Sequence, residues 1–263
     1  MSAVPPDDRG FLLGDGLFET VLALSGRPLF LAEHLARLTR GCTVLGLPPP
    51  EEPVVRRALD QALAVAGLTD GRAAVRLTWT AGSGGRGLDR PAQPQPRLVA
   101  SAAPAPLPLA PAALVIVSVR RNAGSPASRL KTLAYLDNVL ARRGALAAGA
   151  DEAVMLNTAG EIACAAAANL FWVSDGRLCT PTLDCGVLDG IVRAQVMALS
   201  AAMGVDVVEV RAGPQALSAA EAIFLTNSLI GVRAVGRLGD RLLPPHQVTA
   251  SLAAAWGAMA GPV

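Results

Sequence analysis

The side chain best suited to nucleophilic chemistry is Lys131, in the stretch Ser-Arg-Leu-Lys-Thr-Leu-Ala-Tyr-Leu-Asp-Asn at 128–138. Leu130, Leu133, Ala134, Leu136 and Leu140 surround it in sequence. Two readings are open: a lysine whose stem packs on a helix while its head reaches water, or a desolvated amine that loses its proton and attacks a carbonyl. Further segments are suited to holding anions. Residues 186–193, Gly-Val-Leu-Asp-Gly-Ile-Val-Arg, place a glycine turn at the start of a helix, where free N–H groups and the positive helix end favour phosphate. Thr226-Asn227-Ser228 lies between two strands, as a polar turn or as hydroxyl and amide donors to the same anion. Residues 82–87, Gly-Ser-Gly-Gly-Arg-Gly, match G-x-G-x-x-G, but prolines follow in place of a helix, which removes the dinucleotide reading. What remains is a surface connector, or a mobile loop that brings Arg86 to a carboxylate. His34 and His246 are the only histidines. Nothing near either completes a hydrolytic triad or a metal site, so both read as structural.

The elements that must position these residues follow from periodicity. A β-hairpin spans 17–24 and 27–31, entered from a polar, glycine-rich cluster at 7–20 that reads as a tight turn. Leu35, Leu38, Cys42 and Leu45 mark an amphipathic helix over 32–46, and a second helix runs over 51–66. Strands at 73–79 and 97–102 flank a Gly/Pro-rich loop at 81–96. The Pro/Ala run at 104–111 is a stiff linker. It divides the chain into a small α/β domain at 1–105, a linker at 106–111 and a larger domain at 112–263. In the second part a strand at 114–119 precedes the lysine helix, which runs to about residue 148 with Lys131 just inside its start. Strands follow at 152–156, 161–163, 169–174, 177–180, 205–210, 221–226 and 229–235, with a helix at 190–204. Without a regular βαβ repeat this is α+β, or mixed α/β, and not a barrel of alternating units.

Composition narrows the function classes. Hydrophobic residues make up 52% of the 263 residues and aromatics only 3%, so the core is built from Ala, Leu and Val. A net charge of +2 gives no electrostatic case for nucleic acid or a membrane surface. Cys42, Cys164, Cys179 and Cys185 show no metal-site spacing. The N-terminus lacks the regions of a signal peptide, and prolines interrupt the longest apolar stretch. A cytoplasmic, soluble protein without a metal is the expectation.

Taken together, "DRGFLLGDGLFET", "HLARL", "GSGGRG", "LKTLAYLDN", "ADEAVMLNTAGEI", "NLFWV", "GVLDGIVR" and "FLTNSLIGV" resemble, in this order, the fold-type IV pyridoxal-phosphate enzymes. That family holds the class IV branched-chain and D-amino-acid aminotransferases and 4-amino-4-deoxychorismate lyase. The resemblance implies a two-domain fold whose larger domain has a β-barrel-like core, a homodimer, and pyridoxal 5′-phosphate as cofactor. It implies that Lys131 forms the Schiff base and shuttles a proton, with Tyr135, one helical turn on, near the ring oxygen. Arg37 pairs with the cofactor phosphate, and Gly190, Ile191 and Val192 form its cup, with Asn227 and Ser228 completing it. Asn169 is a further cofactor-binding position. Arg86 falls where an arginine binds the substrate carboxylate, and Phe18 lines the substrate side.

One departure bears on mechanism. The family pattern has a glutamate five residues before the asparagine of "NLF", holding the pyridine nitrogen protonated; here that position is Cys164. Glu161 is three positions too early, and an odd shift along a regular strand turns a side chain to the opposite face. A buried thiol is neutral and a weak hydrogen-bonder. The resemblance implies an aminotransferase acting between a small amino acid and a 2-oxo acid. The alternatives are aminodeoxychorismate lyase, toward which "GSGGRG" and Cys164 lean, and a cofactor-binding homologue with impaired catalysis.

Overall fold

The computed structural model describes residues 4–107 and 110–261. Two residues of the Pro-rich 106–111 segment, 108 and 109, lie outside the described residues. The chain forms two compact units. One holds the residues through Pro106 together with Leu130–Ala134; the other holds Leu107–Arg129 and the chain from Tyr135.

The first unit opens with α1 (Arg9–Leu13), a helix inside the polar cluster at 7–20 that reads as a turn. Asp8 caps it by accepting from Gly10 N–H, and Gly14 ends it in a left-handed conformation. Then come β1 (Gly16–Leu24), β2 (Arg27–Pro28), α2 (Leu31–Leu45), α3 (Glu52–Ala66), β3 (Arg72–Thr80) and β4 (Arg97–Pro104). The strands form an antiparallel sheet in the order β2-β1-β3-β4. The period of two assigns its faces. Val21, Ala23, Ala73, Val75 and Leu77 pack with Leu31, Val55, Leu59 and Leu63 of the helices. Phe18 and Thr20 of β1 oppose Thr78 and Arg76 of β3, so these four share the other face. β4 continues to Pro104, two residues further than the apolar run at 97–102 indicates, because Ala73 still pairs with Pro104.

The second unit contains β5 (Ala112–Arg121), α4 (Leu136–Ala147), β6 (Glu152–Asn157), β7 (Ile162–Ala165), β8 (Asn169–Ser174), β9 (Arg177–Pro181), α5 (Ile191–Ala202), β10 (Val207–Val210), α6 (Gln215–Ala219), β11 (Ala222–Asn227), β12 (Gly231–Leu238), β13 (Arg241–Leu242) and α7 (Gln247–Ala260). Its strands form one mixed sheet in the order β10-β9-β8-β11-β12-β5-β6-β7, with β13 on β12. β7 also lies against β8, so the sheet curls back on itself as a half-barrel. Leu114, Val154, Ile162, Leu170, Trp172 and Leu225 fill its inner core. α5 packs against β11 and α7 against both β11 and β12. The alanine-rich α7 carries little apolar contrast from residue to residue, so periodicity alone does not mark it. The architecture is mixed α+β.

The lysine segment departs most from expectation. α4 begins at Leu136, not near Lys131, and Tyr135 is its N-cap and lies outside the helix. The reason is backbone pairing. Phe18 N–H donates to Lys131 C=O at 2.8 Å, Leu133 N–H donates to Gly16 C=O at 3.0 Å, and Thr132 bridges Leu17. Groups engaged with β1 cannot also close helical turns. Leu130–Ala134 therefore lies along the first unit's sheet, and Lys131 is not one helical turn from Tyr135.

Candidate functional site

In the first unit, β1 is the strand around which the lysine's surroundings are built. It sends Phe18 to one face and Glu19 to the other, toward α2. Glu19 is 1% exposed. It accepts from Arg37 at both oxygens, 2.8 Å from Nε and 2.6 Å from Nη2, while His34 Nδ1 lies 2.7 Å from Oε2. Burial by itself would raise the Glu19 pKa; the forked bonds and charge of Arg37, aided by His34, outweigh it and hold the group at about 2. Arg37 and His34 are three residues apart on one face of α2.

On the other face, Phe18 lies between two cations. Lys131 Nζ is 4.2 Å from its ring centroid and the Arg76 guanidinium carbon 3.8 Å. Lys131 is half-buried. Removal of its amine from water, with repulsion from Arg37 and Arg76, outweighs attraction to Glu19 and lowers its pKa from 10.5 to about 8. At neutral pH such an amine, though still mostly protonated, holds a far larger neutral fraction than an ordinary lysine, which favours attack on a carbonyl.

The second unit, taken by itself, contains an anion cradle. Gly190 is the N-cap of α5, and no side chain caps that helix. A Cβ on Gly190 would lie 1.9 Å from Asn169 Oδ1. Only glycine lets the Asn169 side chain, which donates to Leu188 C=O at 2.9 Å, reach the helix start. Thr226 sits opposite Asn169 across β8 and β11, so the two side chains share a face. The Thr226 hydroxyl is buried without a hydrogen-bond partner. An orphaned hydroxyl, the bare N–H groups leading Ile191 and Val192, and a glycine that leaves room suit a phosphate. Asn227 is occupied elsewhere. Its Nδ2 donates to Ala167 C=O at 3.0 Å, and its Oδ1 accepts from Leu229 and Ile230 N–H. It shapes the turn that carries Ser228.

Cys164 is buried, which pushes its thiol pKa up. Glu161 does not lie on the opposite face, as strand alternation predicts. Met155 pairs with Cys164 and Leu156 with Ile162, leaving Ala163 as an extra residue. This bulge cancels the odd shift and returns Glu161 and Cys164 to one side. Cys164 clusters with Cys185 and Val187, and Cys185 Sγ is 3.7 Å from Glu161 Oε2. Glu161 also accepts from Asn157 at 2.7 Å and Arg211 at 3.1 Å, which lower its pKa.

Arg86 is exposed, on a turn closed by mutual backbone bonds with Asp89, 3.0 Å each way. The loop around it is held by side chains of α1 and its C-terminal flank. Sequence reasoning missed Arg76, whose signal was strand alternation: it shares a face with Phe18. It also missed that Lys131 is the only lysine of the chain, the other 22 basic residues being arginine.

Residues 16–238 match the family model of class IV aminotransferases. The chain is 31% identical over 234 residues to an aminodeoxychorismate lyase of Bacillus subtilis, covering 88% of this chain and 80% of that protein. It is 34% identical over 248 residues to a putative branched-chain-amino-acid aminotransferase of Methanocaldococcus jannaschii, covering 92% and 84%. Among solved structures, a putative 4-amino-4-deoxychorismate lyase of Legionella pneumophila superposes with a TM-score of 0.88 at 30% identity, over 96% of this chain and 93% of that one. The chain belongs to the class IV aminotransferase family, whose enzymes depend on pyridoxal 5′-phosphate.

With a single lysine, its ionisation can be read directly. Protein labelled with [13Cε]lysine is expected to show one titrating resonance with a midpoint near 8, and Arg76→Met is expected to raise it. The folded value lies below the unfolded 10.5, so stability rises with pH between the two as the unfolded chain holds the extra proton. Lys131→Met is expected to remove that rise. A midpoint at the ordinary lysine value contradicts a desolvated amine at this site.

Proposed function

We propose that the protein is a pyridoxal-phosphate aminotransferase that moves an amino group between a small amino acid and a 2-oxo acid. The observation that carries this reading is the lone lysine, half-buried beside Arg76 on the Phe18 ring with its pKa lowered to about 8. When bound, the cofactor supplies an electrophilic aldehyde and a ring that withdraws electrons from the substrate Cα. Lys131 provides the amine to which that aldehyde attaches and, once displaced by substrate, moves a proton at Nζ. The start of α5 at Gly190, Ile191 and Val192, with Thr226, Asn169 and Ser228, is assigned to the phosphate, and the family resemblance assigns Arg37 to it as well, although Glu19 engages its Nε and Nη2. Asn227 serves by holding the turn, and Tyr135 is assigned to the ring oxygen. Arg76 and Arg86 take substrate carboxylate, Phe18 lines the substrate side, and Cys164 meets the ring nitrogen. Four cysteines that form no disulfide support a cytoplasmic enzyme. No helix among the described residues is long and apolar enough to cross a membrane.

A second reading, 4-amino-4-deoxychorismate lyase releasing pyruvate to form 4-aminobenzoate, is favoured by Cys164. A neutral thiol cannot keep the ring nitrogen protonated as a carboxylate does, which weakens the ring as an electron sink and leaves more charge to expel a leaving group. Adding D- and L-amino acids to the cofactor-loaded protein distinguishes the readings. An aminotransferase converts stoichiometrically to the pyridoxamine form, whereas a dedicated lyase resists conversion and liberates pyruvate from aminodeoxychorismate. An unchanged spectrum with every donor and no pyruvate contradicts both readings and identifies an impaired homologue.

A homodimer is part of the same proposal. α4 buries Ala141 and Ala145 but leaves Leu136, Val139 and Leu140 exposed at helical spacing, 68%, 52% and 43% respectively. An apolar stripe of this kind on an enzyme helix suits a second copy. Sedimentation velocity is expected to show a dimer for the native chain and a monomer for Leu140→Glu; a monomeric native chain contradicts it.

A further inference from the structure

The sequence contains two motifs, Asp7-Asp8-Arg9-Gly10 to Asp15 and the glycine-rich loop at 82–90, that have no joint role in the chemistry above. The fold fastens one to the other. Arg9 is 4% exposed, although it begins a short surface helix. Its Nε donates to Asp15 Oδ2 at 2.9 Å. Its Nη2 donates to Leu88 C=O at 2.9 Å, and its Nη1 reaches the carbonyls of Asp89, Gly87 and Gly84 at 3.1, 3.3 and 3.4 Å. Four carbonyls of one loop therefore converge on a single guanidinium. Asp15 also binds Arg90, through Nε at 2.9 Å and through Nη2, and Arg90 Nη1 donates to Leu45 C=O. The carboxylate thus joins the cation inside the loop to the residue at its end.

The backbone is shaped for this arrangement. Arg9 N–H donates to Gly82 C=O at 2.8 Å, and Asp8 forms a bridge with Ser83. Gly85 has a φ of +86°, and a Cβ there would meet Asp89 O at 2.1 Å and Arg9 Nη1 at 3.0 Å. The tip stays outside the lock: Arg86 is exposed, and Leu88 is 85% exposed.

We propose that Arg9, with Asp15, is a positioning residue for substrate binding: it fixes the loop so that Arg86 is presented in one conformation before substrate arrives. The inference rests on the reading that Arg86 takes a substrate carboxylate. A guanidinium on a loop that must first be ordered binds more weakly than one already held, because ordering is charged against binding. Lysine cannot replace Arg9, since a compact ammonium lacks the planar fork that serves a carboxylate and several carbonyls together.

Arg9→Lys, Asp15→Asn and Arg86→Ala are compared in the cofactor-loaded enzyme, with the amino donor that gives the strongest half-reaction. Arg9→Lys is expected to raise KM for the donor about tenfold while kcat stays within about threefold, the pattern of lost pre-organisation. Independently of activity, amides of residues 84–89 are expected to lose hydrogen-exchange protection, and trypsin to cut after Arg86 faster than in the native chain. Asp15→Asn reports on the same lock should Arg9→Lys fold poorly. Unchanged exchange and unchanged KM in both lock variants overturn the proposal, as does an opened loop with unchanged KM. Arg86→Ala separates the causes. If it raises KM and the lock variants do not, the positioning role alone fails; if it too leaves KM unchanged, the carboxylate reading of Arg86 fails.

Discussion

A carboxylate under a sheet has to be answered by a cation, and around Glu19 that requirement organises the first unit. Its two oxygens take both arms of Arg37, and His34 completes the set. The arrangement fixes the rotation of α2 against β1, since only one face of the helix offers both partners. Removing Arg37 would leave the buried carboxylate with His34 as its one remaining side-chain partner here, and breaking a buried pair of this kind costs about 3–5 kcal/mol. The same strand turns Phe18 to the opposite face and offers its backbone to Lys131. The charges of the ion pair also contribute to the amine's pKa.

The second unit solves a complementary problem. Its α5 starts without a capping side chain, against an asparagine that only glycine can accommodate and near a threonine hydroxyl with no partner. Left to themselves these are defects, because a helix start and a buried hydroxyl are normally satisfied. An anion would answer both, which is the physical reason for assigning the phosphate there. Cys164 introduces the opposite bias. If Cys164 faces the ring nitrogen, as proposed, a neutral thiol would not hold a proton there as a carboxylate would.

Much of this is legible in the chain. Period-two and period-3.6 patterns locate the two sheets and α2, α3 and α5, and glycines mark the turn before α5. Three features are not legible, each because a long-range contact overrides a local pattern. Leu130, Leu133 and Leu136 have helical spacing, yet pairing with Gly16 and Phe18 draws Leu130–Ala134 out of a helix. A bulge at Ala163 cannot be seen in strand alternation, and it reverses the inference about Glu161. The bonds from Arg9 to the glycine-rich loop are hidden in the sequence because Arg9 lies some 75 positions away. Arg76 and the solitary status of Lys131 are available from the sequence alone, through alternation and a count of lysines.

The claim on which everything else rests is that Lys131 is the amine that takes the cofactor, and the composition makes its test unusually direct. Borohydride reduction of the protein incubated with pyridoxal phosphate, followed by peptide mass analysis, has no competing lysine to resolve. One phosphopyridoxyl group per chain is expected, on the peptide containing Lys131, and none in Lys131→Ala. A chain that stays unlabelled, or carries the group on its N-terminal amine, contradicts the assignment.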